Sequence, residues 1–434
     1  MMRMKTLVVV VPVLLGLAGC RTHLMTTPAV VSAGHIDPFV HVVPKYRNSE
    51  APVFVASART ASGDTDPARF YTTDRSHMVR VGLATLQIGP GMTWDELVKE
   101  SRVANRRHEP EVVLTAYEEY GPLWSTAWPP DNRFHRDWTA PGVDRGPGDR
   151  FVQAIEAHLA LTRGKQITVY VHGFNTKFDK NLKLAGEFWH YMARNRVMIS
   201  FDWPSRGSLF SYEVDKANAT FAIRQFRELL KFLAAHTSAE RIDIIAHSAG
   251  GPIAVEALRH LSLMYHDLDD DEARRRTRIG RVIFAAPDMD LDTALSAAVD
   301  GAARVTQGFA IYASRRDKAL GFSSGIFGDV RLGNSIGELS EDQRDAMIRN
   351  DTQWIDVTAA EAHSGTFLGH SYFHNNPWVS SDLMLFLTTG ATAEQRGLVR
   401  DTDTGFLVFP DDYEQQLPQI VSRLRAKHDL AGTP

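Results

Sequence analysis

A serine lies at the apex of a predicted strand, turn and helix in the segment RIDIIAHSAGGPIAVEAL, which spans Arg241 to Leu258. Apolar residues run up to the turn, and they recur at helical spacing beyond it. In a nucleophile elbow the turn is so tight that the residue two positions after the serine must be small. Gly250 meets this requirement, and Ala246 is small although glycine is usual there. The segment predicts Ser248 as a nucleophile, with the N–H of Ala249 as one donor to an oxyanion.

The turn His172-Gly173-Phe174-Asn175 closes an earlier apolar strand, ITVYV, and is the candidate for the second oxyanion donor. Gly173 lets the chain turn close to the serine, so the predicted donor is the backbone N–H of Phe174. In enzymes that use a nucleophile elbow, a loop at this place in the chain order supplies that donor. The alternative is an ordinary strand-to-helix turn with a structural histidine.

A nucleophilic serine needs a histidine base and a carboxylate that orients the histidine, here in chain order serine, acid, histidine. Two places compete for the acid. Asp317 follows the predicted strand FAIYAS, whereas Asp288 and Asp290 follow VIFAAP, one strand earlier. Asp317 is preferred because the later loop is the usual place for this acid. Asp288 and Asp290 are typical of a helix N-cap and a loop residue.

The predicted base is His370, in the segment GHSYFHN. This segment lies after the last predicted strand of the core and before its last helix, which is where the base is expected in this chain order. His374 and His363 are the alternatives. Because the chain contains 17 histidines, position rather than residue type supports the choice.

The amino-terminal segment MMRMKTLVVVVPVLLGLAGCRT predicts a secretory signal peptide, with Arg3 and Lys5 before an apolar run from residue 7 to residue 17. The sequence LAGC resembles a bacterial lipobox, in which the cysteine becomes the lipidated first residue of the mature protein. The resemblance implies a lipoprotein anchored to a membrane of the bacterial cell envelope through Cys20, and Arg21 favours the outer membrane. The alternative is a chance cysteine. Cys20 is the only cysteine, which excludes an intramolecular disulfide and a cysteine-rich metal site.

Short apolar strands alternate with amphipathic helices beyond residue 150, which predicts an α/β fold with a mostly parallel sheet covered by helices on both faces. The predicted strands are 166–171, 196–202, 241–246, 280–285, 304–313 and 353–358. The predicted helices are 151–162, 178–194, 214–236, 250–264, 290–299, 378–388 and 413–427. The predicted organisation is a signal peptide at 1–20, a polar tether at 21–48, N-terminal strands and an insertion packed on the core at 49–150, the core at 151–392 and a C-terminal extension at 393–434.

Three short strands, PVFVAS, ARFY and HMVRVGLATLQIG, are predicted before the core. Residues 120–150 and Gly321–Gly333 are candidates for a lid over the site, since aromatic residues in loops can cover a pocket. The net charge of −4 argues against a nucleic-acid partner, which would need a basic face.

Several motifs in fixed order resemble a bacterial family of α/β-hydrolases catalogued as a domain of unknown function. They are FYTTDR, HGFNTKF, SFDWPSRG, AHSAGG, AAPDMD, YASRRDKAL and GHSYF, and the resemblance covers about residues 50–390. It implies the α/β-hydrolase fold, with Ser248 as nucleophile, Asp317 as acid and His370 as base. The implied pocket wall consists of His172, Asn175, Trp203 and Tyr212. Ala249 and Gly251 stand where methionine and asparagine are more common in the family, which alters the expected pocket shape.

The expected reaction is acyl transfer from a carboxylic ester to water, with no metal or organic cofactor required. Small esters and lipid-derived esters are the first substrate classes to consider, as for a carboxylesterase or lipase. The alternative is a non-catalytic envelope lipoprotein that uses the fold as a binding or scaffold module, because a fold alone does not determine activity.

Overall fold

The computed structural model describes residues 22–125, 146–207, 211–317, 352–364 and 370–427. The predicted signal peptide at 1–20, Cys20 and most of both lid candidates lie outside these residues. The strands are β1 (Glu50–Ala61), β2 (Tyr71–Ile88), β3 (Val112–Ser125), β4 (Gln166–Val171), β5 (Val197–Asp202), β6 (Arg241–His247), β7 (Ile279–Ala285), β8 (Gly308–Ala313), β9 (Gln353–Asp356), β10 (Val399–Arg400) and β11 (Leu407–Val408).

The helices in the described parts of the chain cover both faces of the sheet. They are α1 (Ala29–Ser32), α2 (Trp94–Ser101), α3 (Gly146–Leu159), α4 (Phe178–Tyr191), α5 (Tyr212–His236), α6 (Gly250–Met264), α7 (Asp270–Thr277), α8 (Leu291–Val299), α9 (Thr358–Ser364), α10 (Tyr372–Asn375), α11 (Pro377–Thr389) and α12 (Tyr413–Arg425). Within the residues that the structure describes, no helix combines the length and apolar character needed to span a bilayer.

The described strands form one mixed sheet in the order β10-β11-β9-β8-β7-β6-β4-β5-β1-β2-β3. Strands β5, β4, β6, β7, β8 and β9 are parallel, and β1 joins them in parallel beside β5. Strands β2 and β3 extend this edge as an antiparallel meander. This architecture confirms the predicted α/β fold with N-terminal strands added to a mostly parallel sheet.

Alternation along the central strands builds a separate core on each face of the sheet. In β4, Ile167 and Val169 belong to the core shared with α3, α5 and α6, whereas Tyr170 belongs to the core shared with α4 and α11. Because both faces are covered, the strand is apolar along nearly its whole length. The strand order switches at β4, because β5 is its neighbour on one side and β6 is its neighbour on the other. The carboxyl ends of parallel strands at such a switch point frame a crevice for ligands.

Most predicted elements agree with the structure to within a few residues, and the differences have local causes. The predicted strand 304–313 is a 3-10 helix at Ala302–Val305 followed by β8. The first half of the predicted strand ARFY is a 3-10 helix, because Pro67 opens that helix and the Asp66 side chain accepts a hydrogen bond from the N–H of Ala68, and only Tyr71 belongs to a strand. Helix α4 ends before residue 194 because Ala193 and Arg194 take positive φ angles. Strand β3 and helix α2 were not predicted.

The prediction of a polar tether at 21–48 is wrong for residues 22–48. Val30 is fully buried, Phe39 is 3% exposed, and both belong to the core on the α4 and α11 face. The backbone N–H of Val30 donates to the side chain of Ser381 in α11 at 3.0 Å. The apolar residues of this segment follow no helical or strand period. The hydrophobic period therefore could not predict that they cover α4 and α11.

The C-terminal extension completes the fold, as far as residue 427, at the far edge of the sheet. Strand β11 pairs in parallel with β9, and β10 pairs with β11. The buried side chains of Arg396 and Asp382 form an ion pair at 2.6 Å that ties the extension to α11. Leu417 and Ile420 of α12 are fully buried against the same core.

Candidate active site

Ser248 occupies the tight turn between β6 and α6. Its φ angle is +52°, a left-handed value that is uncommon for a residue with a side chain, and the residue is 2% exposed. A Cβ atom at Gly250 would lie 2.5 Å from the carbonyl oxygen of Val171 and 2.8 Å from that of His172. Helix α6 therefore begins against the end of β4, which requires glycine at position 250. The local geometry is that of a nucleophile elbow.

The structure brings Ser248, His370 and Asp317 together from three separate loops. The Nε2 atom of His370 lies 2.8 Å from the Oγ atom of Ser248. The Nδ1 atom of His370 lies 2.9 Å from Oδ2 of Asp317, whose side chain is fully buried. Since a carboxylate accepts, Nδ1 carries the proton and Nε2 is free to accept the serine proton. The three residues form a hydrogen-bonded chain with the polarity that a serine nucleophile requires.

The loop that carries Asp317 is fixed by α9. The side chain of Ser314 donates to Oε2 of Glu361, and the backbone N–H of Arg315 donates to the hydroxyl of Thr358 at 3.0 Å. The backbone N–H of Asp317 donates to the carbonyl of Ser314 at 3.3 Å. Burial raises the pKa of Glu361 above its usual range. These contacts hold the acid below His370 on a short, well-anchored turn.

His247 supports the predicted base from the residue before the serine. Its Nε2 atom lies 3.1 Å from the backbone carbonyl of His370, so Nε2 carries the proton and donates to that oxygen. Its ring packs 4.4 Å from that of Phe373. Burial, followed by the charge of His370, holds the pKa of His247 well below its usual value, so the ring is neutral near pH 7. His247 belongs to the predicted turn but has no predicted role, and its position next to the serine was the available signal.

The turn after β4 lies directly against the serine. A Cβ atom at Gly173 would lie 2.8 Å from Cβ of Ser248, so only glycine fits without displacement. Among the described residues, the backbone N–H groups of Phe174 and Ala249 have no acceptor. Two unpaired donors on the turns that flank a nucleophile are the arrangement expected of an oxyanion hole. Asn175 follows with a φ angle of +55° and is exposed.

His172 and Trp203 lie beneath the site, and their prediction as pocket wall is wrong. Both residues are fully buried, and their rings stack at 5.1 Å with an angle of 8° between the planes. The indole N–H of Trp203 donates to the carbonyl of His172 at 2.8 Å, and Nε2 of His172 lies 3.1 Å from the carbonyl of Trp203. The two residues follow the adjacent parallel strands β4 and β5, so their side chains meet inside the fold. His172 is the structural histidine of the alternative interpretation.

A buried ion pair lies next to His172. Nε of Arg59, in β1, is 2.9 Å from Oδ2 of Asp202, and both side chains are almost completely buried. The hydroxyl of Ser57 donates to the same carboxylate at 2.8 Å, and Nε2 of His172 lies 3.5 Å from its other oxygen. Burial alone raises the pKa of Asp202, but Arg59 and the hydrogen bonds from His172 and Ser57 outweigh it, and the pKa lies below its usual value.

Arg59 also holds two loops of the site from below. Its guanidinium donates to the carbonyl of Thr176 at 2.9 Å, in the turn that carries Phe174. It donates to the carbonyl of Ser205 at 2.8 Å, in the loop after β5. Strand β1 thereby fixes the position of the candidate oxyanion turn. Arg59 was not predicted, because it lies about 190 residues before the serine and belongs to no local motif.

A groove with a volume of about 460 Å³ opens beside the serine turn. Tyr212 lines it, as predicted, and its hydroxyl donates to Oδ2 of Asp288 at 3.0 Å. Asp290 is the N-cap of α8. The lining combines the apolar residues Phe174, Ala219, Ile223, Pro252 and Met289 with the charged residues Asp215, Lys216, Glu256, Asp288 and Asp290.

The alternative base His374 does not contact the serine within the described structure. Burial, followed by the charge of Lys180, lowers the pKa of His374 to about 4, and its ring packs at 4.7 Å on that of Phe373. His363 belongs to α9, and its side chain lies outside the described residues. In the part of the chain that the structure describes, no group of three or more His, Cys, Asp or Glu side chains could hold a metal ion.

Comparisons with known proteins found a family model and solved structures that are similar to this chain. A family model described as alpha/beta hydrolase of unknown function (DUF900) matches residues 149–386. An inhibited form of esterase B from Lactobacillus rhamnosis is similar in structure, with a TM-score of 0.31, 14% identity, and coverage of 54% of this chain and 80% of the esterase. The same esterase inhibited by a tributyrin phosphonate gives a TM-score of 0.29, 12% identity, and coverage of 51% and 74%. No curated protein matches the sequence.

Proposed function

The chain belongs to the family of α/β-hydrolases of unknown function that matches its residues 149–386, and we propose that it is a serine hydrolase of carboxylic esters. One observation carries the proposal: the hydrogen-bonded chain Asp317–His370–Ser248, with the serine held in a left-handed turn. A serine that only packs in a turn has no need of an oriented imidazole on its hydroxyl.

The proposed reaction proceeds through an acyl-enzyme. His370 accepts the proton of Ser248 at Nε2 as Oγ attacks the ester carbonyl, and Asp317 stabilises the imidazolium that forms. The N–H groups of Phe174 and Ala249 donate to the developing oxyanion. The alcohol leaves with the proton from His370, and a water molecule then attacks the acyl-enzyme with His370 as base. Each oxyanion donor is expected to contribute about 10²- to 10³-fold to kcat.

The groove favours an ester with an apolar acyl chain, and lipid-derived esters are the first class to test. Phe174, Ile223 and Met289 provide apolar surface next to the serine turn. Met289 also lines a smaller cavity, which is almost entirely apolar and whose walls include Phe284, Leu295, Phe309 and Trp354. An acyl chain leaving the serine along Met289 would lose contact with water on both sides.

We further propose that the protein is a lipoprotein of the bacterial cell envelope, anchored to the membrane through Cys20. The support is the order of a basic start, an apolar run and the sequence LAGC. The test is mass spectrometry of the amino-terminal peptide from cells of the source bacterium. An acylated Cys20 is expected, and an unmodified peptide that continues through residue 20 would overturn this part of the proposal.

The enzymatic proposal is tested with p-nitrophenyl esters from acetate to palmitate. The purified protein should hydrolyse at least part of the series, and Ser248→Ala should abolish turnover. Ser238→Ala is a matched control, because Ser238 is exposed and lies at the opposite end of β6. If folded protein turns over no ester in the series, the non-catalytic binding or scaffold module takes the place of the hydrolase.

A further inference from the structure

A second cavity lies at the end of the sheet opposite Ser248. It has a volume of about 470 Å³ and adjoins the first residues of β4 and β6, whereas the serine follows the last residue of β6. Its lining contains five basic residues: Arg163, Arg196, Arg241, Arg281 and Lys427. No acidic residue belongs to the described lining. The proposed esterase reaction makes no use of this cavity.

The buried carboxylate of Asp243 pairs with two of the arginines, and a third, Arg281, lies beside them. Arg241 pairs with it at 2.9 Å and Arg196 at 3.4 Å. Arg281 has no carboxylate within ion-pair distance among the described residues, and its guanidinium meets that of Arg241 at the backbone carbonyl of Leu387. Burial, followed by repulsion from Arg241, lowers the pKa of Arg281 to about 10, so it remains charged at pH 7. The three side chains carry two positive charges beyond what Asp243 neutralises.

One donor at this cavity lacks an acceptor. Arg196 is 6% exposed, and its Nε atom is buried with no hydrogen-bond partner in the described part of the chain. A buried N–H without an acceptor is unfavourable, so buried polar groups are nearly always paired. Arg196 lines the cavity, but its Nε atom is itself buried and not exposed there. A purely structural role of the arginines accounts for the pairing with Asp243 and leaves this donor unexplained.

We propose that the cavity binds a phosphate monoester. A phosphate monoester carries close to two negative charges at neutral pH, which matches the excess charge of Arg196, Arg241 and Arg281, whereas a single carboxylate would neutralise half of it. Guanidinium groups offer paired donors that fit phosphate oxygens. Ile36, Met192, Met384 and Leu385 line the same cavity, so the phosphate can carry an apolar substituent. The phosphate belongs either to a small soluble organic phosphate or to the headgroup of a membrane lipid.

The first test measures thermal unfolding with glycerol 3-phosphate or inorganic phosphate against sodium chloride at the same ionic strength. At about 10 mM, phosphate should raise the Tm of the wild-type protein by about 2 °C or more, and chloride should not. Arg281→Gln should remove the phosphate-specific gain. Arg275→Gln is the matched control, because Arg275 is an exposed arginine in α7 that pairs with Glu272. An equal response to phosphate and chloride, or an undiminished gain in Arg281→Gln, would overturn the proposal.

Should Arg281→Gln fail to fold, Lys427→Gln replaces it, since Lys427 is exposed at the cavity and its loss leaves the core intact. This variant should weaken phosphate binding several-fold by isothermal titration calorimetry. Unchanged affinity would count against the proposal.

The two sources of phosphate are separated by co-sedimentation with vesicles. Vesicles of phosphatidylcholine with phosphatidic acid should bind the wild-type protein more strongly than Arg281→Gln if the ligand is a lipid headgroup. Binding of glycerol 3-phosphate without this difference identifies a soluble organic phosphate. If the wild-type protein binds neither glycerol 3-phosphate nor the phosphatidic acid vesicles, the proposal is overturned.

Discussion

Two histidine–aspartate pairs lie at the carboxyl ends of the parallel strands. They differ in the groups that the ring nitrogens of the histidine face and in how deeply the histidine is buried. In the pair of His370 and Asp317, the second ring nitrogen is 2.8 Å from a serine hydroxyl, and the histidine side chain is 26% exposed. In the pair of His172 and Asp202, both side chains are fully buried. There Nδ1 lies 2.8 Å from the carbonyl of Gly173, and Nε2 faces the carbonyl of Trp203 and the carboxylate.

The difference separates a candidate base from a structural element made of the same residue types. A general base needs a nitrogen lone pair directed at the proton it takes, and room for a substrate beside it. His370 has both. The ring nitrogens of His172 point at acceptor oxygens, and Asp202 neutralises Arg59. Residue type and position after a strand are therefore insufficient to assign a role, and the partner of the second nitrogen decides it.

Replacement of the two histidines should give the largest contrast. His370→Ala removes the base and should lower kcat for ester hydrolysis by about 10⁴-fold or more, with little change in Tm because the side chain is partly exposed. His172→Ala leaves a cavity under Trp203 and should lower the free energy of unfolding by about 3 kcal/mol. Ester assays and urea unfolding of both variants make the comparison. If His172→Ala abolishes turnover in folded protein and His370→Ala does not, the roles are reversed.

The two aspartates should separate in the same way. Asp317→Asn keeps the shape of the acid but favours the wrong imidazole tautomer, and it should lower kcat by about 10⁴-fold. Asp202→Asn leaves Arg59 as a buried charge without its partner and should cost about 3 to 5 kcal/mol of unfolding free energy. Steady-state kinetics and chemical denaturation on both variants test this. A large loss of stability in Asp317→Asn with activity retained would contradict the assignment.

Gly173→Ala tests the turn that joins the two pairs. The added methyl group would meet Cβ of Ser248 at 2.8 Å and should push the N–H of Phe174 away from the oxyanion position. We expect kcat to fall about 10²- to 10³-fold, the value of one oxyanion donor, with a smaller effect on KM. Gly308→Ala, where an added Cβ would make only ordinary van der Waals contact with Phe386, serves as the control for substitution at a glycine. Full activity in Gly173→Ala would remove Phe174 from the oxyanion hole.

The smallest expected effect is on acid stability. Because the pKa of Asp202 is depressed in the folded protein, its contribution is fully present above its unfolded pKa of about 3.9 and is lost as the pH falls through the folded pKa. The wild-type protein should therefore lose up to about 1 kcal/mol more than Asp202→Asn between pH 5 and pH 3. Asp267→Asn, an exposed aspartate, should behave as wild type. Parallel pH dependence in all three proteins would contradict the depressed pKa.

The fold was predictable where hydrophobic period and local turns specify it. Strand β4 and helix α6 have the predicted bounds because an apolar run and a helical period each end at a clear breaker. The burial of residues 22–48 was not predictable, because aperiodic apolar residues such as Val30 and Phe39 pack on elements that lie more than 100 residues away. Such packing depends on tertiary contacts that no local window contains.

The three residues of the hydrogen-bonded chain were predictable from the sequence, whereas the residues that hold their loops in place were not. Ser248, Asp317 and His370 lie at strand ends in a fixed order, and parallel topology brings strand ends together. Arg59 and His247 hydrogen-bond to backbone carbonyls of other loops. Because every residue has a backbone carbonyl, the sequence does not show which residue is the partner. In the sequence, His172 stands in a turn where a pocket residue is also expected. Only its stacking on Trp203 in the structure shows that it is buried.

The most direct test of the central claim is labelling with a fluorophosphonate, followed by mass spectrometry of the modified peptide. An activated serine in a hydrogen-bonded chain with His370 and Asp317 should be modified stoichiometrically at Ser248. Labelling should be lost in Ser248→Ala and strongly slowed in His370→Ala, and both variants should remain folded by circular dichroism. Folded wild-type protein that takes up no label, or that is labelled equally well after loss of His370, would contradict the assignment of Ser248 as an activated nucleophile.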